Sequence, residues 1–542
     1  MKPFETSSST DSRSMASISS RRAAFAMGAT IALVQVILYP FSPANGFVLL
    51  AFVASAVLMI GLAILLRASF LTIVVASFLL LGFLFKAIAY LSFGADLAEP
   101  VGGFSGTARQ WNMALSFAVA GLLGVAAAIF VASRFPSFVH VEPVLPLKHQ
   151  LLERIMFGAL ILLLAVAIGL YGLNQRYMIL RIGYPLGIEI DPRLYAVVSF
   201  ILTWGALLGA LALTQWLIDL GQLSYAAVIY VAAAIGFFAS VTMGSRAQLI
   251  LYLIAGLCIV AYRWARVESW QRIIVACCIA GGLFALSLLA VSIERQYAFD
   301  GSMSKVERPV PERELSDLSA DPPPLAGPLG EDDPDRAPAN WDPAKPAASP
   351  LPDGGIGDRL KILTDSKHLN LIIHHIRGLI IMRWVGLEGV MTIAGAEREL
   401  GYDLLARALK EDPAEGSRGI YQRLAGDLYG NVKFFTFLTL PGIIGVAAYS
   451  GSLLGTFAFV FCIVLLAHSL EVFAAAMTRN VAVAAVSGVS LAYLIVQMGF
   501  PWTLLIFAIE LVLATAALGL FRMLVQRLCM RAARRLNANE AD

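Results

Sequence analysis

The chain has 542 residues, of which 58% are hydrophobic and only 14% charged, and its mean hydropathy is positive. A soluble domain carries about a quarter charged residues, so this composition excludes one and places the chain among polytopic membrane proteins. The formal net charge of +3, with no Lys/Arg block interleaved with aromatics, excludes nucleic acid as a partner.

In chain order, residues 1–22 are Ser-rich and polar with no small-residue cleavage site behind them, which reads as a retained cytoplasmic tail. A spanning helix needs about 20 predominantly apolar residues. Apolar stretches at 23–41, 47–66, 69–93, 111–133, 155–174, 194–214, 225–243, 247–262 and 273–293 meet that need and make 23–293 an N-terminal membrane bundle. The five cysteines (Cys258, Cys277, Cys278, Cys462 and Cys529) lie in or beside apolar stretches without metal-ligand spacing, and read as small apolar side chains rather than disulfides. Arg21, Arg22 and the loops "RFPSFVHVEPVLPLKHQLLERI" and "RWARVESWQR" carry basic residues, so the positive-inside rule places them in the cytoplasm. The loops 94–110 and 175–193, the pair Ser245-Arg246 and the long segment 294–432 then fall outside.

Residues 294–368 form a Pro-rich insert: 301–358 alone hold 12 of the 24 prolines, a composition that cannot bury enough apolar surface to offset chain entropy. The acidic run "EDDPD" inside it reads as solvated charge, because a Pro-rich setting offers no rigid cage for a metal. Residues 369–432 read as a helical outer loop. There Leu369, Ile372, Ile373, Ile376, Leu379 and Ile380 recur at helical spacing opposite Asn370, His374 and Arg377, the pattern of an amphipathic helix on a membrane surface.

Residues 433–521 supply further spans at 433–449, 453–472, 481–500 and 502–521, before a basic tail at 522–542. Thirteen crossings would leave "RMLVQRLCMRAARR" outside, although its five arginines argue for the cytoplasm. The stretch 433–449, interrupted by Pro441-Gly442, is the one that could re-enter instead of crossing. The expected fold is therefore all-α, a bundle of about 12–14 spans with one large outer loop carrying amphipathic helices.

Arginines on the outer side work against the insertion bias, and here they include Arg109, Arg176, Arg181, Arg193, Arg246, Arg377, Arg383, Arg418 and Arg423. Guanidinium is always charged and offers a planar fork that matches phosphate oxygens, which suits a pyrophosphate held at headgroup depth. For Arg246, in "TMGSRAQLILYL", the alternative is a helix-end side chain that snorkels to water. Lys86 and Glu510 lie inside apolar stretches, where an ionisable group is costly and is a functional candidate, a structural pair or a residue facing a wet cavity.

Three stretches, "TMGSRAQLILYL", "IIHHIRGLIIMRWVGLEGVM" and "AGDLYGNVKFFTFLTLPGIIGVAAYSGSLLG", resemble the polysaccharide polymerases that join lipid-linked O-antigen or exopolysaccharide repeat units. The resemblance implies a multi-pass protein of the bacterial inner membrane that binds polyprenyl-pyrophosphate-linked oligosaccharides at the periplasmic face and transfers one chain onto the other. It implies no cofactor and no metal. Beyond the glycan carrier and membrane lipids, a chain-length regulator and a flippase of the same pathway are the implied partners.

Such transfer needs positive charge on the leaving pyrophosphate and a base near the acceptor hydroxyl. Arg246, Arg377 and Arg383 are the candidates for the first role, His374, His375 and Glu388 for the second, with Arg181 and Arg418 as further substrate contacts. His374 stands three residues before Arg377 and would share its helical face, although adjacent histidines on an interfacial helix also serve as plain polar surface.

The rivals are a ligase of the same broad fold, which uses the same outer arginines, a transporter or flippase of lipid-linked glycans, and a non-catalytic scaffold. Transport folds commonly show repeated halves, and no internal repeat is visible. A nucleotide-sugar transferase would need a cytoplasmic domain, for which the inner loops are too short.

Overall fold

A computed structural model describes residues 26–94, 97, 99–135, 150–183, 190–267, 269–303, 384–412, 419–426 and 439–539. Every regular element among them is helical. The first nine helices are α1 (Ala26–Phe41), α2 (Gly46–Leu66), α3 (Phe70–Phe93), α4 (Ala108–Ala132), α5 (Gln150–Tyr177), α6 (Arg193–Asp219), α7 (Ala226–Met243), α8 (Arg246–Tyr262) and α9 (Trp270–Met303). Four short helices follow: α10 (Leu387–Gly395), α11 (Tyr402–Ala408), α12 (Ile420–Ala425) and α13 (Gly442–Ala448). The chain closes with α14 (Leu453–Thr478), α15 (Val481–Val496) and α16 (Pro501–Asn539).

Nine of the described helices are long and apolar enough to cross a membrane, with α1, α8 and α15 as shorter apolar companions. This is a multi-pass membrane protein. The hydropathy of each stretch makes it helical in a bilayer, where every backbone polar group must be satisfied within the segment. Polar residues punctuate the stretches. Asn45, Thr107, Ser452 and Asn480 each cap a helix by accepting a first-turn N–H, and Ser69 forms a reciprocal capping box with Thr72. Arg67, Gly94, Gly244 and Arg479 end helices in the left-handed conformation.

The twelve long helices alternate in direction, and contacts between their ends fix two faces. At one face the Arg522 guanidinium donates to the Thr478 carbonyl at 2.7 Å, Asn480 donates to the Ala212 carbonyl at 2.9 Å, and Glu471 of α14 accepts the Phe70 and Leu71 N–H groups that open α3. Arg67, Arg134, Arg263, Arg266, Arg479 and Arg522 gather here, and we call it the basic face. At the opposite loop face, Ile182 N–H donates to the Met243 carbonyl at 3.0 Å and Gly102 N–H to the Ala425 carbonyl at 2.9 Å.

The stretch 433–449 is not a thirteenth span. Its described part is α13, seven residues long, buried throughout and ended by a tight turn at Gly451 before α14 begins. Seven residues advance only about 10 Å, against a hydrocarbon core of about 30 Å. With that segment re-entrant, α16 and its arginines end on the same face as the start of α1, and the conflict in the charge pattern disappears. The expected boundary at residue 293 also moves, because α9 continues as helix to Met303.

Leu387 to Ala394 of α10 are all buried, because α10 packs against α4 and α13 inside the bundle instead of lying on its surface. The amphipathic stretch 369–383 falls outside the described residues.

Two spans are broken by π turns, Leu80–Phe85 in α3 and Ile201–Gly205 in α6. Each lies eight residues from the loop-face end of its helix, a depth of about 12 Å. Such turns release backbone carbonyls and commonly mark functional positions. Both adjoin polar side chains.

Candidate functional site

The first polar centre is built on the Gly-Ser-Arg turn between α7 and α8. Gly244 closes α7 at φ +62, a left-handed conformation that favours glycine. Ser245 N–H then reaches back to the Ser240 carbonyl at 2.9 Å, and the Ser240 hydroxyl donates to the Ser245 carbonyl at 2.5 Å. The turn is thereby tied from below. Ser245 makes no side-chain capping bond to α8, so the first-turn N–H groups of α8 keep the positive end of the helix dipole facing the loop side.

Asn174, buried in the last turn of α5, straps the next segment onto this turn. Its carbonyl oxygen accepts Leu180 N–H at 2.7 Å, and its amide donates to the carbonyls of Leu180 at 3.1 Å and Thr242 at 3.2 Å. The strap turns Arg181 inward. The Arg181 side chain is 3% exposed and forms an ion pair with Glu294 of α9. It also lies over Gly244, where an added Cβ would stand 3.9 Å from Arg181 Cγ and Nε. Arg246, the first residue of α8, is half-buried with its Nε covered. Arg181 and Arg246 make an arginine corner at this turn; Arg176 and Arg193 are exposed at the loop-face ends of α5 and α6.

Beneath it, the π turn of α6 is plugged by side chains. The Leu202 carbonyl accepts the hydroxyl of Tyr171 at 3.0 Å and that of Tyr252 at 3.3 Å; the Thr203 carbonyl accepts Gln248 Nε2 at 2.8 Å and the Tyr252 hydroxyl. The Trp204 ring packs 5.6 Å from that of Tyr252 and 6.3 Å from that of Tyr493. Tyr252 is six residues below Arg246, about 9 Å deeper. The floor of the corner is thus polar but fully bonded.

The second centre lies under the π turn of α3. Lys86 is fully buried, and its ammonium sits 2.6 Å from both carboxylate oxygens of Glu388 in α10; the Tyr90 hydroxyl donates to the same carboxylate. Bare backbone makes this approach possible: a Cβ on Gly82 would stand 2.2 Å from the Val385 carbonyl oxygen, and one on Gly386 2.5 Å from that of Gly82. Further along, Thr392 meets the Tyr421 hydroxyl at 3.3 Å. Burial, with Glu99 and Glu388 adding to it, pushes the Tyr421 phenol well above its ordinary pKa, so it remains a neutral hydrogen-bonding group.

Of the residues singled out in the sequence, Arg181 and Arg246 come together at the α7–α8 turn. Glu388 goes to the other centre and supplies the partner of Lys86. Both of its oxygens are engaged, by the Lys86 ammonium and the Tyr90 hydroxyl. His374, His375, Arg377, Arg383 and Arg418 lie outside the described residues. Among the described residues, no cluster of three His, Cys, Asp or Glu side chains could hold a metal.

Sequence reasoning did not single out Asn174, Ser240, Glu294, Tyr90, Tyr171, Gln248 and Tyr252 as a set. Glu294, an acid at the end of an apolar stretch, offered the one usable signal. No family model matches the chain, and neither the curated proteins nor the solved structures contain a match.

Proposed function

We propose that the chain is a membrane glycosyltransferase that polymerises polyprenyl-pyrophosphate-linked oligosaccharide units, with the loop face toward the periplasm of a bacterial inner membrane. The observation that carries this reading is the arginine corner. Arg181 is held inside the bundle, beside the N-terminus of α8 and its first residue Arg246. Cationic groups at the mouth of a helical bundle favour a polyanion whose hydrophobic tail stays in the lipid.

In the reaction, the acceptor sugar hydroxyl attacks the anomeric carbon of the donor. The new C–O bond forms as the bond to pyrophosphate breaks, the hydroxyl proton passes to a base, and the pyrophosphate leaves on its polyprenyl carrier. Arg181 and Arg246 stabilise the charge that develops on the leaving oxygens, and such preorganised electrostatics is usually the largest catalytic term. His374 and His375 are the candidates for the base. Glu388 acts at a distance by fixing α10.

The test is polysaccharide size in cells lacking the gene, complemented at equal membrane abundance with wild type, Arg246→Ala, Arg181→Ala or His374→Ala. Single repeat units on the final acceptor in the null strain and in both arginine variants support polymerisation. Normal-length polymer stranded on its carrier points to a ligase instead, and lipid-linked single units held at the cytoplasmic face point to a transporter. Wild-type chain lengths in both arginine variants overturn the reading.

A further inference from the structure

Away from helix ends, four side chains of the acid, lysine or histidine type lie within the described spans: Lys86, His468, Glu471 and Glu510. The first three are buried in the bundle. Glu510 alone reaches its outer surface, half-exposed on α16, and it makes no hydrogen bond or ion pair among the described residues. It stands nine residues from Pro501, about 13 Å into the span, close to the middle of a hydrocarbon core of about 30 Å. A carboxyl facing lipid at that depth is costly and calls for a hydrogen-bonding partner from another helix.

The surface around it also exceeds what lipid tails can cover. Only 22% of the most apolar stretch of α16 is buried. Exposed apolar side chains run from Trp502 through Leu505, Ile509 and Leu513 to Leu528 and Met530, a rise of about 42 Å. Arg522 anchors the helix to the Thr478 carbonyl at the basic face, so the exposed Leu524, Leu528 and Met530 lie beyond that boundary. α5 and α9 expose as much of their apolar stretches, but neither carries an acid, lysine or histidine in mid-span.

We propose that α16 is the surface through which two copies of this chain associate in the membrane, with the Glu510 carboxyls meeting across the twofold axis and sharing a proton. A second copy inserted in the same orientation brings a hydrogen-bonding group to the depth of Glu510 by construction. A carboxylic acid is also self-complementary, one group donating and the other accepting. Ala514 and Ala517, one and two turns further along the same side, let the helices approach closely enough for that contact. The isologous arrangement also covers the apolar stripe that continues past the bilayer.

The experiment is stepwise photobleaching of the labelled full chain at low density in bilayers, with thermal unfolding of each variant to show that it is folded. Wild type is expected to give mostly two-step spots. Glu510→Leu should lower the association constant at least tenfold, while Glu510→Gln, whose amide can both donate and accept, retains most of it. Glu510→Lys should not pair with itself, but mixed with wild type it should form heterodimers through a Glu–Lys contact. A photo-crosslinker at Leu513 should join the two copies. Monomeric wild type, dimers unaffected in folded Glu510→Leu, or crosslinks from Leu513 solely to a different polypeptide would each overturn the proposal. None of these outcomes depends on the enzymatic reading.

Discussion

The two polar centres of the loop face use the same kinds of residue in opposite ways. Around Glu388 one carboxylate meets one ammonium and one phenol, out of water. At the arginine corner a strap, a turn and a helix N-terminus converge on Arg181 and Arg246, with Glu294 the carboxylate paired to Arg181. The first centre is neutral and closed, which suits a joint between α3 and α10. The second is cationic and borders the loop face, which suits a ligand. Ion pairs alone therefore do not mark the site; what marks it is cationic charge held at an open edge.

The largest expected effect breaks the closed centre. Lys86→Met leaves the Glu388 carboxylate buried without its cation, and removal of one partner of such a pair costs about 3–5 kcal/mol. The expected result is a loss of folded protein, read by thermal unfolding in detergent. The double variant Lys86→Met/Glu388→Leu removes both charges and should recover most of that loss, since an apolar pair of similar volume is commonly as stable as the ion pair. A double variant as unstable as the single one would show that the centre does more than join two elements.

Next comes the open centre. Arg246→Ala should leave unfolding unchanged within about 1 kcal/mol, as expected of a half-buried helix-end residue, yet lower the transfer rate about 10²–10³-fold, the usual cost of one preorganised charge-stabilising donor. Arg246→Lys keeps the charge and loses the fork, so it should fall between. Equal losses of stability at both centres would erase the distinction between them.

How much of this was legible in the sequence follows from which forces are local. Hydropathy and helix caps act within a few residues, so the long helices stand where the apolar stretches predict, although α16 runs on as helix through the basic tail to Asn539. The stretch 433–449 misled because hydropathy records burial and not what is buried against: α13 is as apolar as a span but is packed among α4, α10 and α14. Lys86 was visible as an anomaly, yet its partner stands 302 residues away, beyond any local rule. Arg181 and Arg246 were legible as cations near apolar ends. Asn174, which brings them together through two backbone segments, has no pattern that separates it from any other helix-end asparagine.

A smaller effect sharpens the comparison from the other side. Glu294→Gln removes the carboxylate that pairs with Arg181 and leaves the open centre more cationic. The variant should be less stable without ligand, because the buried guanidinium loses a charge-assisted bond worth about 1.5–3 kcal/mol. It should also gain more from an anion that binds the folded state, since such binding stabilises by mass action. Inorganic pyrophosphate should therefore raise the Tm of Glu294→Gln more than that of wild type. An equal rise would mean that Arg181 is committed to Glu294 and takes no part in anion binding.

The smallest effect isolates the variable that separates all these pairs. Arg109 and Glu397 meet at 2.7 Å on the loop face, as close as Lys86 and Glu388 at 2.6 Å, so distance cannot distinguish them. Exposure does: the Arg109 and Glu397 side chains are 79% and 46% exposed, and water already solvates both charges. Such pairs contribute about 0–1 kcal/mol, so Arg109→Ala should move the unfolding midpoint barely above error and leave polymer length unchanged. If Arg109→Ala instead shortened the polymer while stability held, cationic charge across the whole loop face, rather than the corner at Arg181 and Arg246, would be what draws the substrate in. Screening separates those cases. A long-range effect of exposed charge fades as salt rises toward 1 M, where the Debye length falls to about 3 Å, whereas contact with a half-buried arginine persists.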